Sequence, residues 1–142
     1  MSVFLQCYSA PDFRKDAAVP DSPTVLIVED HADSREGLYQ LLVIYGYAPV
    51  AVASSSEALV LLESWRPDYL LLDLMLPDFA GGEVLRHVRE KGLSTQVAVV
   101  TASTEPRLLA ETRALKPDAF FPKPLDVQRF VEWIKNTRRS PD

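Results

Sequence analysis

The chain has 142 residues, of which 47% are hydrophobic and 25% are charged, and its net charge at pH 7 is -5. This length and hydrophobic content predict one domain with a substantial core. The acidic balance argues against broad attraction to nucleic acid or anionic lipid. A lone cysteine excludes an internal disulfide, and no apolar run is long enough to span a bilayer. The first residues do not resemble a secretory signal, so we expect a cytoplasmic protein.

The chain divides into three predicted regions. Residues 1–22 mix charges with prolines and show no sustained period, which predicts a flexible extension. Residues 23–137 alternate β-branched or leucine-rich runs with amphipathic segments of helical length. This alternation predicts an α/β domain of βα units around a mostly parallel sheet, with five strands and five helices. Residues 138–142 are predicted to be a short tail.

The first predicted strand covers residues 25–28 and precedes a helix. We expect that helix to begin near Asp33, whose side chain caps free amides while Glu36 completes an approximate capping box. Gly46 is expected to end it. The spacing of apolar residues predicts a buried stripe made of Leu38, Leu41, Leu42 and Tyr45.

The middle of the chain continues the alternation. A second strand is predicted over residues 50–53, followed by a helix that stops before Pro67. The third strand, residues 69–72, is wholly apolar, which favours a central strand covered on both faces. The later elements are predicted as strands at 97–100 and 119–121 and helices at 83–91, 106–115 and 127–137.

The last predicted helix has an apolar face and a marginal tryptophan. Four residues at helical spacing are expected to pack on the sheet: Val127, Phe130, Val131 and Ile134. Trp133 lies about 120° from the centre of that face, so we expect its ring to be partly exposed. A large aromatic there either covers the core or belongs to a partner surface, and both interpretations stay open.

Polar residues recur where the predicted strands end. The first strand leads to Glu29 and Asp30, the third to Asp73, the fourth to Thr101 and the fifth to Lys123. The carboxyl ends of parallel strands share one edge of a sheet, and ligands bind in the crevice outside that edge. We therefore expect these residues to converge although they are distant in sequence.

Such a group can perform phosphoryl chemistry. Crowded carboxylates repel each other unless a cation or proton neutralises them, and ligation by oxygen atoms alone favours Mg²⁺. Asp73 can then act as a nucleophile toward phosphorus, Lys123 offers a positive charge and Thr101 offers a hydroxyl donor. His31 and His87 have no partner at metal-binding spacing, so both are predicted to be surface residues.

Four stretches resemble the receiver domain of two-component response regulators, across about residues 22–137. They read VLIVED with HADSR, LLLDLMLPDFAGGEVL, VVTAS and DAFFPKPL. The resemblance implies a flavodoxin-like fold, a doubly wound five-stranded parallel sheet with five helices in a single domain. It also implies a phosphoacceptor signalling domain rather than an enzyme, which takes a phosphoryl group from the phosphohistidine of a sensor kinase or phosphotransfer protein.

By position, the resemblance implies a role for each residue near the acceptor. Asp73 would be the phosphorylation site. Asp30 and Asp73 would ligate Mg²⁺ with the backbone carbonyl of Met75, and Glu29 would assist through water. The side chain of Met75 can neither orient a hydrolytic water nor leave its approach open, so self-dephosphorylation is expected to be slow.

The resemblance also implies how the phosphoryl group is held and sensed. Thr101 and Lys123 would grip it, and Ala102 would leave room for it. Thr101 would move toward the phosphate and Phe120 would rotate inward, which would reshape the surface beside Trp133. That surface is expected to contact a downstream effector or an attached output domain, with a phosphorylation-dependent homodimer as an alternative. Direct contact with nucleic acid or membrane is not expected.

Three rival interpretations differ at specific positions. An aspartate-nucleophile phosphatase would require a second acid two residues after the nucleophile, where this chain has Met75. A pseudo-receiver usually lacks an acidic ligand, the acceptor or the lysine, and all three are present. A receiver of a DNA-binding regulator would differ only in the residues beyond position 142. The sequence is therefore compatible with a stand-alone regulator and with a piece of a longer one.

Overall fold

A computed structural model describes residues 22–75 and 82–139 of the chain. Within these ranges, five strands alternate with five helices, as predicted. The strands are β1 (Thr24–Val28), β2 (Ala48–Val52), β3 (Tyr69–Asp73), β4 (Gln96–Thr101) and β5 (Ala119–Pro122). The helices are α1 (Ala32–Ile44), α2 (Ser55–Leu62), α3 (Gly82–Glu90), α4 (Pro106–Ala114) and α5 (Val127–Arg139). Nearly all of the predicted extension and most of the predicted tail lie outside the described residues.

The strands form one parallel sheet in the order β2-β1-β3-β4-β5. The chain moves outward from β1 to β2, returns to β3 on the other side of β1, and continues outward through β4 to β5. The strand order therefore reverses between β1 and β3, which is the switch point where open α/β sheets bind ligands. The predicted doubly wound, flavodoxin-like architecture is confirmed.

Two apolar layers cover the faces of the sheet. On one face, alternate strand residues such as Leu26 and Leu70 pack with the buried residues of α2 and α3. On the other face, residues such as Ile27 and Leu71 pack with α1 and α5. Every residue of β3 is buried, as its wholly apolar run predicts, whereas the residues of β5 at the sheet edge are only partly buried or exposed.

The start of α1 differs from the prediction. The cap is His31, not Asp33, because the extended backbone of His31 ends the loop two residues earlier. Its Nδ1 accepts a hydrogen bond from the amide of Ser34 at 3.3 Å, which satisfies one of the free amides of the first turn. His31 is exposed, as predicted.

The buried stripe of α1 is narrower than predicted. Leu42 is buried and Leu38 is half-buried, but Leu41 is 41% exposed and Tyr45 is 45% exposed. The two exposed residues lie on one flank of the helix, which does not contact the sheet. Gly46 has a φ of 95°, a conformation that favours glycine, and it ends the helix as expected.

The apolar face of α5 agrees with the prediction. Phe130 and Ile134 are fully buried and Val131 is 2% exposed. Trp133 is half-buried, with its ring centroid 5.5 Å from that of Tyr69 and 5.9 Å from that of Phe130. No helix in the described part of the chain combines the length and apolar character needed to cross a bilayer.

Candidate functional site

The predicted acidic residues converge at the carboxyl edge of the sheet. Strands β1 and β3 pair with Val28 opposite Leu72. Glu29 follows Val28 and Asp73 follows Leu72, so these two acids lie side by side. Asp30 comes directly after Glu29 on the same loop. One carboxylate oxygen from each of the three acids lies within 4.8 Å of the others. The strand register therefore brings Glu29 and Asp73 together, and the loop after β1 adds Asp30.

Lys123 joins the cluster from the other side of β3. Its amide donates to the carbonyl of Thr101 at 3.0 Å, which continues the β4–β5 ladder past the end of β5. Its Nζ donates to Asp73 Oδ2 at 2.8 Å and to Glu29 Oε1 at 3.1 Å. The side chains of Asp73 and Glu29 are only 4% and 5% exposed, so the positive charge of this lysine offsets part of the cost of removing them from water.

These contacts determine the protonation of Lys123. Burial alone lowers the pKa of the amine, because it disfavours the charged form. The hydrogen bonds that the amine donates to Asp73 and Glu29, together with the negative charges of these carboxylates, outweigh burial and raise the pKa above its ordinary value of 10.5. Lys123 is therefore a fixed positive charge at neutral pH.

Backbone donors and one arginine hold the acidic loop in place. The amide of Met75 donates to Asp73 Oδ1 at 3.0 Å, and the amide of His31 donates to Glu29 Oε2 at 3.0 Å. Arg35 donates from Nη1 to the carbonyls of Glu29 at 3.0 Å and Asp30 at 3.2 Å. Sequence reasoning missed Arg35, although it is the one basic residue in α1 and lies one turn inside the helix after the acidic pair.

The donor set fits a magnesium ion. Three carboxylates face one lysine, so the cluster carries an excess of negative charge. The atoms that it offers as metal ligands are all oxygen atoms, which Mg²⁺ prefers. Ligands of one Mg²⁺ at 2.0–2.1 Å lie at most about 4 Å apart, so a small side-chain movement would close the cluster on an ion. Asp30 is exposed and free to make that movement.

A cleft of about 530 Å³ opens beside the cluster. Asp73, Glu29 and Lys123 line one end, and Ala102 leaves its rim uncrowded. Its remaining walls come from α1, the strands and the segment before α5: Ile27, Val28, Ser34, Gly37, Leu38, Leu71, Val100, Pro124 and Leu125. The cleft therefore reaches the carboxylate of Asp73 and the amine of Lys123.

Of the residues predicted to sense the phosphoryl group or to contact a partner, Phe120 and Trp133 pack on opposite faces of the sheet. Thr101 is 5% exposed, and its Oγ1 accepts a hydrogen bond from the amide of Ser103 at 2.9 Å. Phe120 packs with the layer that contains α2 and α3, and the guanidinium of Arg113 lies 4.6 Å from its ring centroid. Trp133 packs with the opposite layer, where its ring contacts that of Phe121 at 6.4 Å. Phe120 and Phe121 are adjacent in β5 and point to opposite faces, so Trp133, which contacts Phe121, packs on the face opposite Phe120. That phosphorylation reshapes the surface beside Trp133 stays a prediction.

Comparisons with known proteins decide the family. Residues 25–135 match the model of the response regulator receiver domain. The chain belongs to the response regulator receiver family. Receiver domains are signalling domains of two-component systems. They generally bind Mg²⁺ at an acidic cluster and pair with histidine kinases or phosphotransfer proteins.

Two relatives differ in how much of their length this receiver domain covers. It is similar to the polar-differentiation response regulator DivK of Brucella anthropi, with 30% identity over 80% of this chain and 94% of DivK. It is also 31% identical to the response regulator MprA of Mycolicibacterium vanbaalenii, over 83% of this chain and 52% of MprA. The chain thus spans nearly all of one relative and about half of the other.

Solved structures agree with the fold. A CheY-like response regulator receiver domain protein from Methanospirillum hungatei superposes with a TM-score of 0.77 at 25% identity, over 82% of this chain and 94% of that chain. The DNA-binding response regulator of the LuxR family from Staphylococcus aureus superposes with a TM-score of 0.75 at 28% identity, over 80% of this chain and 97% of that chain. This receiver domain therefore has the CheY-like architecture.

Proposed function

We propose that Asp73 accepts a phosphoryl group from a phosphohistidine, in a Mg²⁺-dependent reaction that switches a protein-interaction surface. The observation that carries this proposal is the convergence of three carboxylates and Lys123 at the carboxyl edge of the sheet. Structural ion pairs alone do not need three acids around one lysine. The donor is a sensor histidine kinase or a histidine phosphotransfer protein, as the family membership supports.

The chemistry depends on the positions of the atoms. A carboxylate oxygen of Asp73 attacks phosphorus, an oxygen–phosphorus bond forms, and the phosphorus–nitrogen bond breaks with its electrons left on the donor imidazole. Lys123 exchanges its bond to Asp73 for one to a phosphoryl oxygen, and Thr101 donates to another. Asp30, Asp73 and the carbonyl of Met75 would hold the ion, with Glu29 acting through water. When bound, the ion would supply positive charge that neutralises the carboxylates and the incoming phosphoryl group.

The domain limits and the output belong to the same proposal. The receiver covers residues 23–137, between an N-terminal extension and a short tail, and it works in the cytoplasm. Its partner on the output side is a downstream effector or an attached output domain, and a phosphorylation-dependent homodimer is the alternative. Thr101 and Phe120 relay the phosphorylated state to the surface formed by α4, β5 and α5, which includes Trp133.

Labelling with acetyl phosphate tests the proposal. With Mg²⁺ present, the protein should gain one phosphoryl group that survives acid and is lost in base, as expected of an acyl phosphate. Removing Mg²⁺ with a chelator, or making Asp30→Ala, should slow labelling by roughly tenfold or more, equivalent to at least ~1.4 kcal/mol. Asp33→Ala, which removes a nearby exposed acid, is the matched control. Equal rates in Asp30→Ala and the control would contradict a metal-binding role for Asp30.

A second prediction concerns the lifetime of the phosphoryl group. The side chain of Met75 is 56% exposed beside the acceptor, while its amide holds Asp73 Oδ1. Met75→Asn keeps the amide contact and adds a side chain that can orient water, so we expect faster loss of phosphate. Met75→Leu, which cannot orient water, should resemble the parent. Equal decay rates in the asparagine and leucine variants would show that the steric argument is wrong.

A third prediction concerns the contact surface around Trp133. Beryllofluoride with Mg²⁺, which mimics the phosphoryl group, should change self-association or partner affinity. Trp133→Ala should weaken the activated contact severalfold without preventing labelling of Asp73. Trp133→Phe should preserve much of the ring packing with Tyr69 and Phe130 and serves as the control. If both variants bind like the parent while amides of α1 become protected on activation, the activated surface lies elsewhere.

A further inference from the structure

An arginine of α4 lies over the aromatic ring of Phe120. The guanidinium carbon of Arg113 is 4.6 Å from the centroid of that ring, within the range of a cation–π contact. Inside the described ranges 22–75 and 82–139, no ion pair includes Arg113, whereas Arg107 of the same helix pairs with Glu111. The ring is therefore the partner that the described structure gives to this guanidinium.

The end of α4 holds the backbone of Arg113 in place. The carbonyl of Arg113 accepts a hydrogen bond from the amide of Lys116 at 2.9 Å, in the turn that closes the helix. Leu115, in the same turn, packs with the apolar layer that also contains Phe120. The cation–π contact thus joins an anchored helix end to β5, the strand at the edge of the sheet.

Phe120 and Thr101 point to the same face of the sheet. Phe120 lies opposite Val99 in the β4–β5 register, and both pack with the layer that contains α2 and α3. Thr101 follows Val99 by two residues, so its side chain points to that face as well. Arg113 is exposed, and its charge could follow the ring inward only by leaving water. A ring turned inward toward Thr101 would therefore lose the contact with Arg113.

We propose that Arg113 is a positioning residue that holds Phe120 in the orientation of the unphosphorylated state and so opposes activation. The inference rests on the proposed function, in which phosphorylation of Asp73 turns Phe120 inward. A contact made in only one of two states shifts the equilibrium toward that state. A cation–π contact at an exposed site corresponds to about a two- to fivefold change in an equilibrium constant. Arg113 therefore sets how readily this receiver is activated.

The affinity of the acceptor site for a phosphoryl mimic distinguishes this role from a structural one. Coupling between two sites is reciprocal, so removing a contact of the unphosphorylated state raises the affinity for a ligand that favours the activated state. A contact that only stabilised the fold would act equally in both states and would leave that affinity unchanged. Beryllofluoride bound at Asp73 with Mg²⁺ is such a ligand under the proposed function.

Titration of the full chain with beryllofluoride at saturating Mg²⁺ tests the proposal. The amide signals of Thr101 and Phe120 report the activated state, and their change gives an apparent dissociation constant. Arg113→Gln removes the cation, Arg113→Lys keeps one, and Arg107→Gln is the matched control. Arg107 lies on the same helix with its side chain 83% exposed, and its Nε is 3.9 Å from Glu111. None of these substitutions removes a buried side chain.

Arg113→Gln should bind beryllofluoride about two- to fivefold more tightly than the parent, with Arg113→Lys nearer to the parent and Arg107→Gln equal to it. Loss of a positive charge by itself weakens binding of an anion, so the gain would not be electrostatic. In a Phe120→Leu background, which lacks the ring, Arg113→Gln should have no further effect. Equal affinities of Arg113→Gln and the parent, an equal gain in Arg107→Gln, or a gain that persists without the ring would overturn the proposal. A parent that does not bind beryllofluoride at all would contradict the proposed function and this inference together.

Discussion

Replacing Asp73 with asparagine should abolish the incorporation of phosphoryl groups from acetyl phosphate. The amide has nearly the shape of the carboxylate and can still accept the hydrogen bond from the amide of Met75, so the fold should persist. It carries no negative charge and is a poor nucleophile toward phosphorus. The measurement is the mass of the intact protein after incubation with acetyl phosphate and Mg²⁺.

The control for this loss is Asp33→Asn, an exposed acid on the first turn of α1. It should be labelled as fast as the parent. Circular dichroism should show that both variants are folded. Undiminished labelling of Asp73→Asn would place the acceptor at another residue.

Replacing Lys123 with alanine should lower the free energy of unfolding by about 3 kcal/mol at pH 7. The change leaves Glu29 and Asp73 almost fully buried without their shared cation, and unpaired buried charges of this kind cost roughly 3–5 kcal/mol. Because the lysine is partly exposed, we expect a loss at the lower end of that range. Urea denaturation of parent and variant measures the difference. A variant as stable as the parent would show that the two carboxylates do not depend on this lysine.

The pH dependence of this contribution has a definite sign. The pKa of Lys123 is raised in the folded protein, despite the opposing effect of burial, by the hydrogen bonds that the amine donates to Asp73 and Glu29 and by the negative charges of these carboxylates. A raised pKa means that stabilisation by the amine is complete below its ordinary value of 10.5 and is lost as the pH rises through the folded value. With respect to Lys123, the stability difference between parent and variant should therefore stay constant at neutral pH and decrease only in strongly alkaline solution.

The same variant should separate phosphorylation from its consequences. Lys123→Ala retains the acceptor and the acidic cluster, so some labelling with acetyl phosphate is expected to remain. The charge that links the phosphoryl group to the segment after β5 is gone, so amide signals around Thr101 and Phe120 should not shift as they do in the phosphorylated parent. Shifts of the same size in both proteins would contradict this role for Lys123.

The parts of the site that could be predicted from sequence are those that depend on strand topology. Glu29, Asp73 and Lys123 each come after a short apolar strand, and parallel pairing brings such ends together whatever the details of the helices. The contacts that were missed depend on local geometry instead. His31 caps α1 in place of Asp33 because its backbone is extended, and Arg35 reaches back to the acidic loop from within the helix.

The helix faces were predicted less completely. Apolar residues in α1 exceed the number that the sheet can cover, so periodicity alone could not show that Leu41 and Tyr45 are exposed. In α5 the apolar face is bounded by polar residues, and its burial was predicted correctly. The packing of Phe120 and Phe121 on opposite faces of the sheet follows from the alternation of side chains along a strand, so only one of these adjacent residues can face α5.

Locating the phosphoryl group on the chain is the decisive measurement for the role of Asp73. The protein is incubated with acetyl phosphate and Mg²⁺, the acyl phosphate is reduced with borohydride to fix its position, and the peptides are sequenced by mass spectrometry. The convergence of Glu29, Asp30 and Lys123 on one carboxylate predicts modification at Asp73, and its disappearance when Mg²⁺ is removed. Modification at Asp30 or at any other carboxylate, with Asp73 unmodified, would contradict the proposed phosphoacceptor site.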